Sequence, residues 1–144
     1  MVRFAFAVLA ALGLVSLLRA DTLDQEMAKF QGAWKVELIA ENGIAEPDAE
    51  TKKFEIVIKG NTIHVKMEGR DETMDFKIDP DKSPKNIDIT PHYGDDKGKT
   101  APGIYEFDGD RLRICACPKG KRPAKFATAQ GTLVLMLKRV DKEP

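Results

Sequence analysis

Two cysteines separated by one residue, Cys115-Ala116-Cys117, are the part of the sequence with the plainest reactive chemistry. In an exported protein such a pair raises the question of a disulfide. Residues two apart in an extended strand have alpha carbons about 6.6 Å apart, at the long end of what a disulfide spans without strain. Two free thiols are therefore the favoured state; a strained, reducible bridge comes next, and metal or intermolecular pairing last. His64 and His92 are the only two histidines, with no His-x-x-x-His or Cys-x-x-Cys spacing near either. Zinc needs three or four converging donors. Only a tertiary contact could bring these histidines to the thiols, so they read as ordinary surface residues and no metal is expected.

Gly98-Lys99-Thr100 has the ending of a phosphate-binding loop, in which backbone amides cradle the anion. The glycine required five places earlier is Tyr93, Asp95 and Asp96 repel phosphate, and Pro102 opposes the helix that should begin here. A solvated turn is the better reading. The carboxylates Asp71-Glu72, Asp79 with Asp81, Asp95-Asp96 and Asp108 with Asp110 fall in turns or on polar strand faces, where they serve reversals and solubility. Past Ser16 the only serine is Ser83, which excludes a serine hydrolase. Lys119, Lys121, Arg122 and Lys125 form a basic loop with Phe126 as the one adjacent aromatic. That is too sparse for a nucleic-acid footprint and reads as a solvated hairpin loop. No nucleophile, base and orienting group assemble, so the chain is not expected to be an enzyme or to carry a cofactor.

The elements that must position these residues belong to one domain. The chain has 144 residues, with 23 basic against 23 acidic side chains and 42% hydrophobic content. That is enough apolar material for a folded core, and the balanced charge gives no global field for nucleic acid. Met1–Ala20 carries Arg3, an apolar run from Phe4 to Leu18, and the small Ala20 before the polar Asp21. A run this short falls below the roughly 20 residues that span a bilayer. It reads as a secretory signal peptide rather than an anchor, cut near Ala20. The mature domain is then 21–144, and the protein is expected in the periplasm or outside the cell, without stable membrane insertion.

Within the domain, Leu23, Met27 and Phe30 are spaced as one side of a short helix over Asp24–Gln31. After it the period is two. Trp34, Val36 and Leu38 alternate with charges; Phe54, Ile56 and Ile58 follow; Ile63, Val65 and Met67 alternate with His64, Lys66 and Glu68; and Met74, Phe76 and Ile78 alternate with charges. Ile87 with Ile89, Tyr105 with Phe107, Leu112 with Ile114, and Leu133–Val140 complete eight strands. Turn residues such as Lys59-Gly60-Asn61 and Asp108-Gly109-Asp110 join successive strands closely, which predicts antiparallel neighbours. Strands dry on one face and wet on the other, with no second long helix to cover them, predict an all-β, eight-stranded antiparallel barrel. A barrel of this size is filled by side chains or holds one small ligand.

Phe30-Gln31-Gly32-Ala33-Trp34 resembles the Gly-x-Trp signature of lipocalins. In order along the chain, Pro84–Ile89, Gly98-Lys99-Thr100, Gly103–Glu106, Asp110–Cys115, Arg122-Pro123 and Leu137-Lys138-Arg139 resemble an uncharacterised lipocalin-like domain family abundant in planctomycete bacteria. The resemblance implies a calycin-type barrel and no established activity. It also implies a structural floor at Gly32 and Trp34, where a basic residue of the last strand covers the indole. Arg139 is preferred over Lys138, because it shares the face of Leu133, Leu135 and Leu137. A cation over an indole contributes on the order of 0.5 to 2 kcal/mol.

The function expected on these grounds is an exported binding module for a small apolar or amphipathic molecule. Its lining residues are expected to be Trp34, Val65, Met67, Met74, Phe76, Tyr105 and Phe107. The alternative is a barrel packed solid, acting as a structural or protein-interaction domain. The two readings share one alternation pattern and differ only in whether the interior is full.

Overall fold

The computed structural model describes residues 22–140. The signal peptide expected at Met1–Ala20 lies outside the described residues, as do Asp21 and the last four residues of the expected domain. Two compact units meet in sequence at Phe30 and Gln31. In the first, residues 22–30 form helix α1, with Phe30 buried and Leu23 exposed. Lys29 Nζ donates to Glu26 Oε2 at 3.0 Å within it.

The second unit is the barrel. Its elements are β1 (Gly32–Glu41), β2 (Ile44–Ala45), the short helix α2 (Asp48–Thr51), β3 (Glu55–Lys59), β4 (Thr62–Met67), β5 (Arg70–Asp79), β6 (Lys85–Pro91), β7 (Ala101–Asp108), β8 (Arg111–Ala116) and β9 (Leu133–Arg139). Each long strand pairs antiparallel with its successor, and β1 pairs with β9 to close the sheet. The closed barrel thus has eight strands, and β2 is an extra strand on β1. Closure leaves the ladder of the eight without an edge, which removes the exposed row of unpaired amides an open sheet presents. β2 arises because Asn42-Gly43 turns the chain back with φ of 54° and 83°. Two successive positive φ values are what a two-residue primed hairpin turn requires, and Asn-Gly supplies them cheaply.

Alternation puts Ile58 and Ile63, Phe76 and Ile87, Tyr105 and Leu112 inside, each at most 4% exposed. Burying side chains of this size contributes about 1.5–3 kcal/mol apiece. In β1 the alternation is interrupted. Val36 pairs with Leu137 but Leu38 pairs with Met136, so β1 has one more residue than β9 across this step. This is a β-bulge, and it flips the inward parity from even to odd. Leu38, expected on the dry interior, therefore faces outward, and Ile39 takes the inward place.

Outside the barrel, Leu38 and Phe126 pack on a cluster of Ala40, Ile104, Cys115 and Val134. The long β8–β9 connection, residues 117–132, forms a strap that covers this cluster. Arg122 fastens it: Nη1 donates to Gly103 O at 2.7 Å and Ile87 O at 3.3 Å, and Nη2 to Asp88 Oδ1 at 2.7 Å. The basic segment expected to be a solvated hairpin loop is thus tied down at Arg122, while Lys119, Lys121 and Lys125 are exposed.

Candidate ligand cavity

The two ends of the barrel differ. At the floor, strand β1 begins at Gly32 with φ +116°, a conformation that L side chains rarely adopt, and a β-carbon there would lie 3.4 Å from Arg139 Nη1. Arg139 Cζ sits 4.3 Å from the Trp34 ring centroid, and Nη1 donates to Gln31 O at 2.8 Å. The Gln31 side chain clamps the neighbouring β3–β4 turn: Nε2 donates to Gly60 O at 2.9 Å, and Gly60 N donates to Oε1 at 2.7 Å. Phe107 lies between two aromatic partners, 6.4 Å from Trp34 and 5.9 Å from Tyr105 between centroids. This half is packed, with Trp34, Phe76 and Tyr105 each 1% exposed.

The other half is hollow. A cavity of about 520 Å³ occupies it, within the roughly 300–1,000 Å³ span of small-molecule pockets. Its walls are apolar side chains of successive strands, among them Val36, Ile56, Val65, Met74, Ile89 and Leu135. Strand register explains the position: apart from Phe54, the inward strand residues toward this end are smaller or more flexible than the aromatics of the floor. Of the seven residues expected to line a ligand, Val65, Met67 and Met74 line this cavity. Trp34, Phe76, Tyr105 and Phe107 do not; they belong to the packed half below it.

The rim is charged. Glu41, Arg70, Glu72, Asp95, Asp96 and Lys99 all border the cavity. Arg70, Asp95 and Lys99 are exposed, so the cavity meets solvent at this end. Glu72 reaches inward, because counting back from Phe76 and Met74 along β5 puts positions 72 and 70 on the same face. Its side chain is only 14% exposed, which corrects the reading of Asp71-Glu72 as a wholly solvated pair. Arg70 Nη2 donates to Glu72 Oε1. Tyr93, on the β6–β7 loop, directs its hydroxyl toward Met74 Sδ at 3.9 Å. Burial, then the charge of Glu72 and a hydrogen bond to it, push the Tyr93 phenol up, with Arg70 opposing. Tyr93 is therefore a neutral hydroxyl at neutral pH. The sequence signal for Glu72 and Arg70 was present in the parity of β5, masked by their charge; Tyr93 stands on a loop and had no periodic signal.

The other reactive residues lie elsewhere. Cys115 is buried in the outer cluster and Cys117 is half-buried at the start of the strap, both as free thiols. Burial raises the Cys115 thiol above its ordinary value, a backbone hydrogen bond of Ala127 partly offsetting this and Cys117 adding to it. His92 Nε2 lies 3.0 Å from Asp75 Oδ2 on the outer wall. Among the described residues, no group of three or more His, Cys, Asp or Glu side chains converges as a metal site. Among those residues, too, no helix is long and apolar enough to cross a membrane. Set against known proteins, the chain matches no family model and no curated protein.

Proposed function

We propose that this chain is an exported, lipocalin-like binding module that holds one small apolar or amphipathic molecule inside its barrel. The observation that carries the reading is the cavity of about 520 Å³, walled by aliphatic and methionine side chains with Phe54 and reaching the charged rim. A barrel serving only as a scaffold has no use for such a space, since each unfilled methyl-sized void costs stability. The Gly-x-Trp resemblance, with a basic residue above the indole, supports the lipocalin comparison; the signal-like Met1–Ala20 segment supports export.

The test is uptake of an environment-sensitive apolar dye by the mature protein and by Val65→Trp, whose indole would project into the cavity and obstruct it. Native protein is expected to enhance the dye's emission and Val65→Trp to abolish the enhancement, with the fold intact by circular dichroism. Failure of the native protein to take up any apolar probe would sink the proposal. So would uptake unchanged by Val65→Trp, which would put the dye on the outer surface.

A further inference from the structure

The walls of the cavity offer a ligand no polar partner below the rim, so the rim alone meets whatever polar group the ligand carries. Four carboxylates border it, Glu41, Glu72, Asp95 and Asp96, against two cations, Arg70 and Lys99. Arg70 is already engaged by Glu72. Among the described residues no ion pair holds Glu41, Asp95 or Asp96. The Glu72 carboxylate, directed inward, has capacity for a further donor beside Arg70 and Tyr93, since an ionised carboxylate offers about four lone-pair sites. The neutral Tyr93 hydroxyl adds no positive charge. The field at the mouth is therefore negative and the space beneath it apolar.

Resting on the ligand-binding reading above, we propose that the cavity selects an apolar molecule bearing an ammonium head. The apolar body lies along Val65, Met74 and Leu135, and the head meets the Glu72 carboxylate near Tyr93. A fatty-acid carboxylate of the same length would bring like charge to the rim, an arrangement that electrostatic complementarity disfavours.

The experiment is displacement of the bound dye at pH 7 by dodecylammonium, dodecan-1-ol and dodecanoate, each below its micellar concentration. Dodecylammonium is expected to displace dye at a concentration roughly five- to tenfold lower than dodecanoate, the alcohol falling between, since partly exposed ion pairs have modest strength. Added salt should narrow the gap. Glu72→Gln should narrow it as well, and Asp95→Asn with Asp96→Asn, on an exposed loop, provides the same comparison if Glu72→Gln folds poorly. Equal or tighter binding of dodecanoate would overturn the proposal while leaving a ligand-binding barrel standing. Failure of all three to displace a dye that Val65→Trp excludes would also overturn it. Absence of dye uptake by the native protein would instead overturn the underlying ligand reading.

Discussion

Arg139 covers Trp34 at 4.3 Å and, from the same guanidinium, caps the Gln31 carbonyl at 2.8 Å, so one side chain joins the last strand to the beginning of the first. Arg139 N also donates to Asp110 O at 2.8 Å and Val140 N to Ala33 O at 3.0 Å, which secures the same corner through the backbone. Gly32 suits the start of the strand because its φ of +116° is one that L side chains rarely adopt.

Trp34→Ala is accordingly expected to cost about 3–5 kcal/mol, the range for truncating a large buried aromatic. A urea melt followed by circular dichroism measures it. A loss below about 1 kcal/mol would mean that the indole does not support the floor. Arg139→Lys keeps the charge and loses the planar fork, so it should lie between wild type and Arg139→Ala.

Gly103 faces the barrel interior where β7 crosses β8. A β-carbon there would lie 2.8 Å from Cys115 O and 3.1 Å from the Ala116 β-carbon. The first contact is with backbone, which has nowhere to go. Gly103→Ala should destabilise by about 1–3 kcal/mol as an overpacking substitution, and thermal unfolding of the variant gives the figure.

Arg122 holds the strap to β6 and β7 with three hydrogen bonds, two of them to strand carbonyls. Arg122→Met removes all three and is expected to cost about 1–3 kcal/mol, as for charged hydrogen bonds left unmade. Alkylation should report the release: in the native protein Cys117 reacts first and Cys115 slowly, and in Arg122→Met the Cys115 rate rises. Equal Cys115 rates in the two proteins would show that the strap does not shield the thiol.

Burial raises Cys115 in the folded state above its ordinary 9.0, and raises Tyr93 above 10.0. A group with a raised folded value binds its proton more tightly when native. Its contribution to stability is complete below the unfolded value and declines as pH rises through the folded one. Stability is therefore expected to fall from about pH 9 upward. Cys115→Ala should delay the onset of that fall toward the Tyr93 range, as urea melts taken at a series of pH values would reveal.

The eight barrel strands were legible because each carries at least two large apolar residues two apart, with a charged or polar residue between them in all but β3 and β9, and several of the turns, such as β3–β4, β4–β5 and β7–β8, are short. What escaped had no periodic signature. Trp34 to Leu38 reads as plain alternation, yet the bulge beside Glu37 moves Leu38 outside. Glu72 was readable by counting from Phe76, and its charge argued for the wrong face. Asn42-Gly43 signalled a hairpin whose second strand, Ile44–Ala45, is too short to alternate. The division between a packed floor and a hollow upper half depends on side-chain volumes summed across eight strands, which no single segment contains.

The extra residue in β1 has a genetic consequence. Glu37 occupies the bulge and receives Arg111 through Nε at 2.9 Å and Nη2 at 3.3 Å, a pairing that keeps it turned outward. Loss of that one codon would set Leu38 directly after Val36, so plain alternation would leave Leu38 and Ala40 outward and Ile39 and Glu41 inward, with the same partners on β9. A three-nucleotide deletion at Glu37 is thus absorbed by the ladder and costs only the partner of Arg111. An in-frame deletion at Lys35 that kept the bulge would instead shift the start of the strand against both neighbours, so the tolerance of β1 to changes in length is confined to the bulge.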